Sequence, residues 1–383
     1  SLRITLANVL GVDYLGAFIA SLLFPFVLLP FVGLIRGGIV MGLFNVFIGL
    51  LILRVFNQKI QFSRALGTFG IGLVIALGVS GVLAGEFTKQ IESSLYQDSI
   101  VYAKDTRYQR AVITRWRDDI RLYLNGHLQF SSVDEYRYHE ALVHPALSFH
   151  RNPKRVLILG GGDGLALREV LRYPSVEAVD LVDLDGEITT LFKENTLLQE
   201  LNHSSLRDER VTVRNEDGMR FLESATDLYD IVLMDLPDPS STNLSKLYSK
   251  SFFSLAGRRL AQDGILCTQA TSPYRSREAF WSIAATIEAA RWGSPEVPQQ
   301  FQTQPFHVMI PTFGIWGFVL ASRDPLPVDS LEIEVETRYV TTELAPTFFV
   351  FPPDMSRVDV PVSSLNDPTV VRLYRDGYHK YLE

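Results

Sequence analysis

Three apolar runs open the chain, at about residues 14–35, 38–56 and 65–85, and none carries a charge in its interior; Arg54 lies at the end of the second. Each is close to the ~20 residues that a helix needs to cross a hydrocarbon core. The pattern predicts a transmembrane segment over 1–85 with three spans. Pro25 and Pro30 fall inside the first run, where a membrane helix tolerates them better than a soluble one does. Gly67, Gly70, Gly72, Gly78, Gly81 and Gly85 crowd the third, a spacing that predicts close helix packing in lipid. Residues 86–98 then read as an amphipathic connector, with Phe87, Ile91 and Leu95 at helical spacing.

Beyond Asp98 the period changes. Short β-rich runs at 100–103, 111–114, 120–124 and 127–130, the last two joined by Asn125-Gly126, predict a small antiparallel β unit over 99–132. A helix is expected over 133–149. Apolar strands at 155–159, 178–182, 211–214, 231–234 and 265–268 then alternate with helical stretches to Arg172, to about Leu201, over 249–261 and over 277–290. Such alternation predicts an α/β domain over 133–322, a Rossmann-like, methyltransferase-type parallel sheet covered on both faces. Residues 323–383 form a C-terminal extension that no pattern explains.

Charge sharpens this division. The net charge is −7. Five basic residues against Asp13 give the first 85 residues +4, which leaves −11 for the remainder. An acidic domain is a poor partner for nucleic acid and a good one for a cation. The lone cysteine, Cys267, allows no intramolecular disulfide and reads as a buried core thiol. The chain opens on Ser1 rather than Met, so further spans upstream are an expectation.

Ligands of such sheets gather at the carboxyl ends of the strands. Asp163, Asp183, Asp217 and Asp235 each fall just after an apolar strand. The turn Gly160-Gly161-Gly162-Asp163-Gly164 lets a ligand approach the backbone, but Leu165 breaks the dinucleotide spacing. Asp183, about 20 residues on, suits two ribose hydroxyls. With no basic residue in the turn to hold a phosphate, the pattern indicates a nucleoside without phosphates, such as an adenosylated sulfonium. His139, His144 and His150 lack the i,i+4 spacing of a metal-binding helix, and no metal is expected.

Several stretches resemble the spermidine-synthase family of polyamine aminopropyltransferases. They are Leu157–Gly164 with Leu167-Arg168-Glu169-Val170, Arg107-Tyr108-Gln109, Asn125–Gln129, Asp134–Glu140, Asp230–Asp235 leading to Asp238-Pro239, and Ile310-Pro311-Thr312. The likeness covers about 99–322, and membrane-anchored bacterial members resemble the whole chain. It implies transfer of an aminopropyl group from decarboxylated S-adenosylmethionine to a di- or polyamine, putrescine to spermidine foremost, with release of methylthioadenosine. Gly160, Gly161, Gly162 and Gly218 would border the co-substrate. Gln109 and Asp163 would meet its aminopropyl end, Asp183 its ribose and Asp217 its adenine. Tyr138, His139, Asp235, Asp238 and Gln269 would line the amine site, with Asp235 as the base, helped by Tyr138. Leu236-Pro237 replaces the small hydroxylated residues common between the two aspartates, and Phe313 stands where many members carry an aromatic hydroxyl.

Two alternatives stay open. A methyltransferase would share the sheet and Asp183, but its methionine carboxylate would be repelled by Asp163. A membrane polyamine sensor or transporter would not need the base. Arg54, Lys59 and Arg64 predict a cytoplasmic loop, which across three spans sends the catalytic part outside. A cytosolic co-substrate requires the reverse. The latter decides the expectation: a multi-pass protein of the inner (plasma) membrane, with the lipid bilayer, a polyamine and a second copy of the chain as partners, and with its catalytic domain in the cytoplasm.

Overall fold

In a computed structural model the described residues are 2–28, 32–56, 60, 62–96, 98–294 and 296–380. The chain divides into two compact units, Ser1–Ile100 and Val101–Glu383. In the first, α1 (Leu2–Leu23) runs into a π-helical turn at Phe24–Leu28, followed by α2 (Leu34–Val55) and α3 (Ser63–Leu95). Three segments, Ala7–Leu28, Arg36–Val55 and Ser63–Leu83, are long and apolar enough to cross a membrane. The break differs from the apolar pattern, which runs unbroken from 14 to 35. Proline has no N–H and clashes with the carbonyl four residues back, and Pro25 lies in the widened π turn. Gly33, at φ +80°, begins the next helix. Among the described α3 glycines, Gly70 is the one a β-carbon would disturb most, since it would stand 2.7 Å from Leu50 of α2. Pro30, Lys59 and Gln97 lie outside the described residues, as do the side chains of the connector's Phe87, Ile91 and Leu95.

The second unit starts with a four-stranded antiparallel sheet, β1 (Ser99–Asp105), β2 (Arg110–Trp116), β3 (Asp119–Leu124) and β4 (His127–Ser131). Asn125 (φ 51°) and Gly126 (φ 81°) turn β3 into β4 with the two positive φ angles that a type I′ hairpin needs. Helix α4 (Glu135–Phe149) leads into the main sheet.

That sheet has seven strands in the order β12-β13-β9-β8-β5-β6-β7. Its strands are β5 (Arg155–Gly160), β6 (Ala178–Asp183), β7 (Val211–Asn215), β8 (Tyr229–Asp235), β9 (Leu260–Gln269), β12 (Gln302–Ile310) and β13 (Gly314–Ser322); β10 (Trp292–Ser294) and β11 (Val297–Gln299) pair separately. Strands β5 to β9 are parallel, as expected. The hairpin β12–β13 adds two antiparallel strands beside β9, so the sheet is mixed rather than parallel throughout. Residues alternate between two cores: Val156, Ile158, Ile231 and Leu233 face one side, Leu157, Leu159, Val232 and Met234 the other. Burial on both faces is why these strands read as unbroken apolar runs.

The helices between strands are α5 (Leu165–Val170), α6 (Gly186–Glu194), α7 (Thr196–Leu201), α8 (Gly218–Ser224), α9 (Lys250–Arg259) and α10 (Arg277–Ala289). The stretch expected as one long helix up to Leu201 is two. Asn195 ends α6 and caps α7, its side chain accepting from Leu197 N and Leu198 N. Residues 323–380 pack back onto this unit and carry α11 (Thr369–His379), whose Val370 and Val371 join the second core.

Candidate active site

Strand order reverses between β5 and β8, the place where a doubly wound sheet opens a crevice. Gly160 and Asp235, the last residues of those strands, are register partners there. Gly160 has φ +83°, and a β-carbon on it would stand 2.0 Å from the Asp235 carbonyl, so only glycine fits. The turn passes equally close to β6: Gly162 N donates to Asp183 Oδ2 (3.0 Å). The other oxygen of Asp183 accepts from Asp185 N (2.8 Å).

Asp163 leaves the turn with Oδ1 accepting from Leu165 N (2.9 Å). Helix α4 delivers Tyr138 and His139 to the same place. Tyr138 donates to Asp235 Oδ1 (2.8 Å). His139 Nδ1 bonds to Glu135 Oε2 (2.7 Å), and its Nε2 lies 3.9 Å from Asp235 Oδ2. One ligand atom each from His139, Asp163 and Asp235 falls within a mutual 4.8 Å. Asp238 follows in the loop after β8, and Gln269, at the end of β9, donates to its Oδ1 (3.3 Å) and to Leu236 O (2.8 Å). Gln269 also meets the Tyr248 hydroxyl.

The electrostatics are one-sided. Burial, reinforced by Asp235, pushes Asp163 up to about 7 while His139 opposes it. Burial lifts Asp183 to about 6 against two backbone hydrogen bonds. It lifts Asp238 to about 6 against Tyr374, Gln269 and Thr271. Asp235 is raised too, by burial, against the His139 charge and the Tyr138 hydroxyl. Burial pulls His139 down, but Glu135, with help from Asp235 and Asp163, carries it up to about 9. His139 is therefore an imidazolium at neutral pH, among the described residues the one cation that acts on any of these four carboxylates. This donor set fits cationic guests, and a glycine turn against Asp183 fits a nucleoside.

Two expected residues are otherwise engaged. The Gln109 amide donates to Asp185 Oδ2 (3.1 Å), alongside Thr106 Oγ1 (2.6 Å), which ties the small sheet to the loop after β6. Asp217 caps α8, its Oδ1 accepting from Met219 N and Arg220 N, and Gly218 opens that helix. Its Oδ2 meets Lys246 Nζ at 2.5 Å. Asp185, Lys246, Tyr248 and Tyr374 escaped the sequence reading. Asp185 stands directly before Gly186 as the N-cap of α6, its side chain accepting from Glu187 N, a capping signal that the motif reading did not use. Among the other histidines, His144 is fully buried between Tyr173 and Glu169, and His150 lies 3.4 Å from Asp263.

Comparison with known proteins identifies the family. Residues 135–330 match the model of the spermine/spermidine synthase domain. The chain is 43% identical over 380 residues to a polyamine aminopropyltransferase of Leptospira interrogans, covering 98% of this chain and 74% of that protein. It is 43% identical over 383 residues to polyamine aminopropyltransferase 2 of Ralstonia nicotianae, covering 98% and 73%. A crystal structure of spermidine synthase in complex with the transition-state analogue AdoDATO superposes with a TM-score of 0.60 at 25% identity, over 66% of this chain and 86% of that one.

Proposed function

The chain belongs to the spermine/spermidine synthase family, and on that premise we propose how its second unit acts as a polyamine aminopropyltransferase. It moves the aminopropyl group of decarboxylated S-adenosylmethionine to an aliphatic amine, putrescine to spermidine foremost. The observation that carries this reading is the surplus of carboxylates with raised pKa at the β5/β8 crevice, balanced by one imidazolium. The two substrates bring the missing positive charge: a sulfonium, a primary ammonium and the ammoniums of the acceptor.

The sulfonium supplies an activated methylene, so that a C–N bond forms as the C–S bond breaks and the bonding pair leaves on sulfur as neutral methylthioadenosine. The residues do the rest. Asp163 pairs with the primary ammonium of the aminopropyl group, and Asp183, already aligned by Gly162 N and Asp185 N, takes the ribose hydroxyls. Asp217 and Gly218 border the adenine. Gln109, through Asp185, braces the Asp183 loop rather than the aminopropyl end. Asp238, oriented by Gln269, holds the acceptor in place.

An ammonium cannot attack until it loses a proton. Asp235 takes that proton on Oδ2, because Tyr138 occupies Oδ1. Burial, the charge of Asp235 and the hydrogen bond to it hold the Tyr138 hydroxyl well above its usual range, so Tyr138 stays a donor and steadies the base.

Mass spectrometry after incubation of the protein with decarboxylated S-adenosylmethionine and a panel of di- and polyamines tests this. Aminopropylated amine and methylthioadenosine are expected. No product with any amine, or methyl transfer from S-adenosylmethionine, overturns it. The apolar helices α1–α3 support a second element of the reading: the chain is anchored in the inner membrane with its catalytic unit in the cytoplasm. A reporter fused after Glu383 in the complete gene should be active only there; activity in the periplasm would reverse the orientation.

A further inference from the structure

The C-terminal helix α11 lies on the two loops that leave β8 and β9. Arg375 Nη2 donates to Ser240 O (3.1 Å), two residues after Asp238. Ser276 Oγ, beyond β9, donates to Leu373 O (3.2 Å). The approach is close enough that a β-carbon on Gly377 would stand 2.6 Å from Ser276 Oγ. The helix turns two half-buried phenols toward the amine end of the site: the rings of Tyr374 and Tyr378 have centroids 4.6 Å apart. Both feel the Asp238 carboxylate, which, after burial, is the main reason their hydroxyls titrate above the usual range.

Beside them stands Thr271. It is fully buried and held at φ +60°, where a β-branched residue is strained. Its backbone is well used: Thr271 N donates to Gln269 Oε1 (2.9 Å), and Thr271 O accepts from Gly317 N (2.7 Å). Its hydroxyl lies near enough to Asp238 and Tyr378 to lower the pKa of both but has no hydrogen-bond partner within 3.5 Å among the described residues, so its hold on them is long and loose. A buried hydroxyl without a partner costs free energy, and strain of this kind collects at ligand sites. The β12–β13 turn carries Phe313, which packs on Trp316 and brings no hydroxyl. One carboxylate, two phenol oxygens and one loosely held hydroxyl make a set of acceptors for an N–H donor.

We propose that α11 is the outer wall of the amine pocket, and that Tyr374, Tyr378 and Thr271 receive the distal ammonium of the acceptor beside Asp238, so that this helix sets which length of diamine is used. The inference rests on the aminopropyltransferase reading and assigns a role to an extension that the catalytic motifs leave out. A diamine of the right length puts one nitrogen at Asp235 and the other under α11. A shorter one leaves the hydroxyls empty, and a longer one collides with the rings.

The test uses the full chain in detergent, with Tyr374→Phe, Tyr374→Phe/Tyr378→Phe and, as an independent removal of one hydroxyl, Thr271→Val. Two readouts are taken: KM and kcat for 1,3-diaminopropane, putrescine and cadaverine, and calorimetric binding of each diamine to protein loaded with methylthioadenosine. The phenylalanine variants keep the ring packing. Loss of a hydrogen bond to a charged group should raise KM and Kd for the preferred diamine about ten-fold. The preference among the three should flatten, while kcat and methylthioadenosine affinity stay within about two-fold. Unchanged diamine Kd and unchanged length preference in folded variants overturn the inference. So does a parallel loss of methylthioadenosine binding and thermal stability in all three, which would make α11 purely structural. A wild-type protein that aminopropylates no amine overturns the underlying reading instead, and is recognised before any variant is made.

Discussion

Helix α4 carries buried charge toward two neighbourhoods that treat it in opposite ways. On one side Glu135 takes a fork from Arg168 (2.9 and 3.1 Å), and Glu169 takes Arg168 Nε (2.8 Å), Arg172 (3.1 Å) and His144 (3.2 Å). Burial there is outweighed: Glu135 is lowered by His139 and Arg168, and Glu169 is driven far below the carboxylate range by His144 and Arg168. On the other side Asp163, Asp183, Asp235 and Asp238 are half-buried in the crevice with few cations, and all are raised. His139 joins the two, with one nitrogen on Glu135 and the other toward Asp235. A carboxylate buried with its cation is part of the structure. A carboxylate buried without one waits for a cation that the protein does not own.

The largest effect should come from the open side. Asp235→Asn keeps shape and part of the hydrogen bonding but cannot take a proton. General-base catalysis contributes typically ~10²–10⁴-fold, so kcat for aminopropyl transfer should fall by about that factor. Calorimetry should find methylthioadenosine binding little changed, since Asp163, Asp183 and Asp217 remain. Near-normal turnover at saturating amine would remove Asp235 from the role of base.

The closed side should respond in stability instead. Arg168→Met leaves Glu135 without its fork and Glu169 without one of three partners. Removing one member of a buried ion-pair network costs about 3–5 kcal/mol, read as a lower denaturant midpoint for the second unit. A shift under about 1 kcal/mol would mean that His139, His144 and Arg172 suffice, and the contrast between the two sides would weaken.

Asp163→Asn turns the comparison around. Its folded pKa of about 7 lies above the unfolded value of about 3.9. In that interval the native state binds more protons than the unfolded one, so the contribution is intact below about pH 4 and lost as pH rises through 7. The variant carries no charge there. Its Tm should exceed that of wild type at pH 8 and by less at pH 5. The same ionisation governs function: kcat/KM of wild type should fall as pH drops through 7 toward 6, where Asp163, then Asp183 and Asp238, lose the charge that cations need. Binding selectivity for decarboxylated S-adenosylmethionine over S-adenosylmethionine should shrink in Asp163→Asn. A variant less stable than wild type at pH 8 would contradict the strain assigned to Asp163.

Much of the open side was legible because local pattern and strand-end position coincide: an apolar run followed by aspartate needs no knowledge of distant chain. The same holds for the Asn125-Gly126 hairpin. What stayed hidden depends on pairings far apart in sequence. The hairpin β12–β13 is fixed by β13 pairing with β9, some fifty residues earlier, and Ile310-Pro311-Thr312 leads from the end of β12 into its turn. Thr312 binds Asp134 across 178 residues. The π-helical turn at Phe24–Leu28 holds Pro25, which the apolar count passes over because membrane helices tolerate proline. Glu135 and Arg168 entered the sequence reading only inside two separate motif stretches, since periodicity does not reveal who pairs with whom.

Lys246 tests the boundary between the two kinds of carboxylate, with the smallest effect. Asp217 is only partly buried. Burial acts to raise its pKa, but the Lys246 hydrogen bond, Arg220 N, the Lys246 charge and Met219 N together lower it. It therefore resembles the closed side in charge while occupying an open-side position, where the adenine amino group is proposed to bind. Both partners of the pair are partly exposed, so the pair itself is worth at most about 1 kcal/mol. If adenine must compete with the ammonium for Asp217 Oδ2, then Lys246→Met should bind methylthioadenosine more tightly. The gain is bounded by the pair, about two- to five-fold in Kd. Stability should change by no more than about 1 kcal/mol, because the cap on Met219 N and Arg220 N remains. Weaker binding in the variant would mean that Lys246 itself touches the ligand, and Asp217 would then belong with the carboxylates whose cation the protein owns.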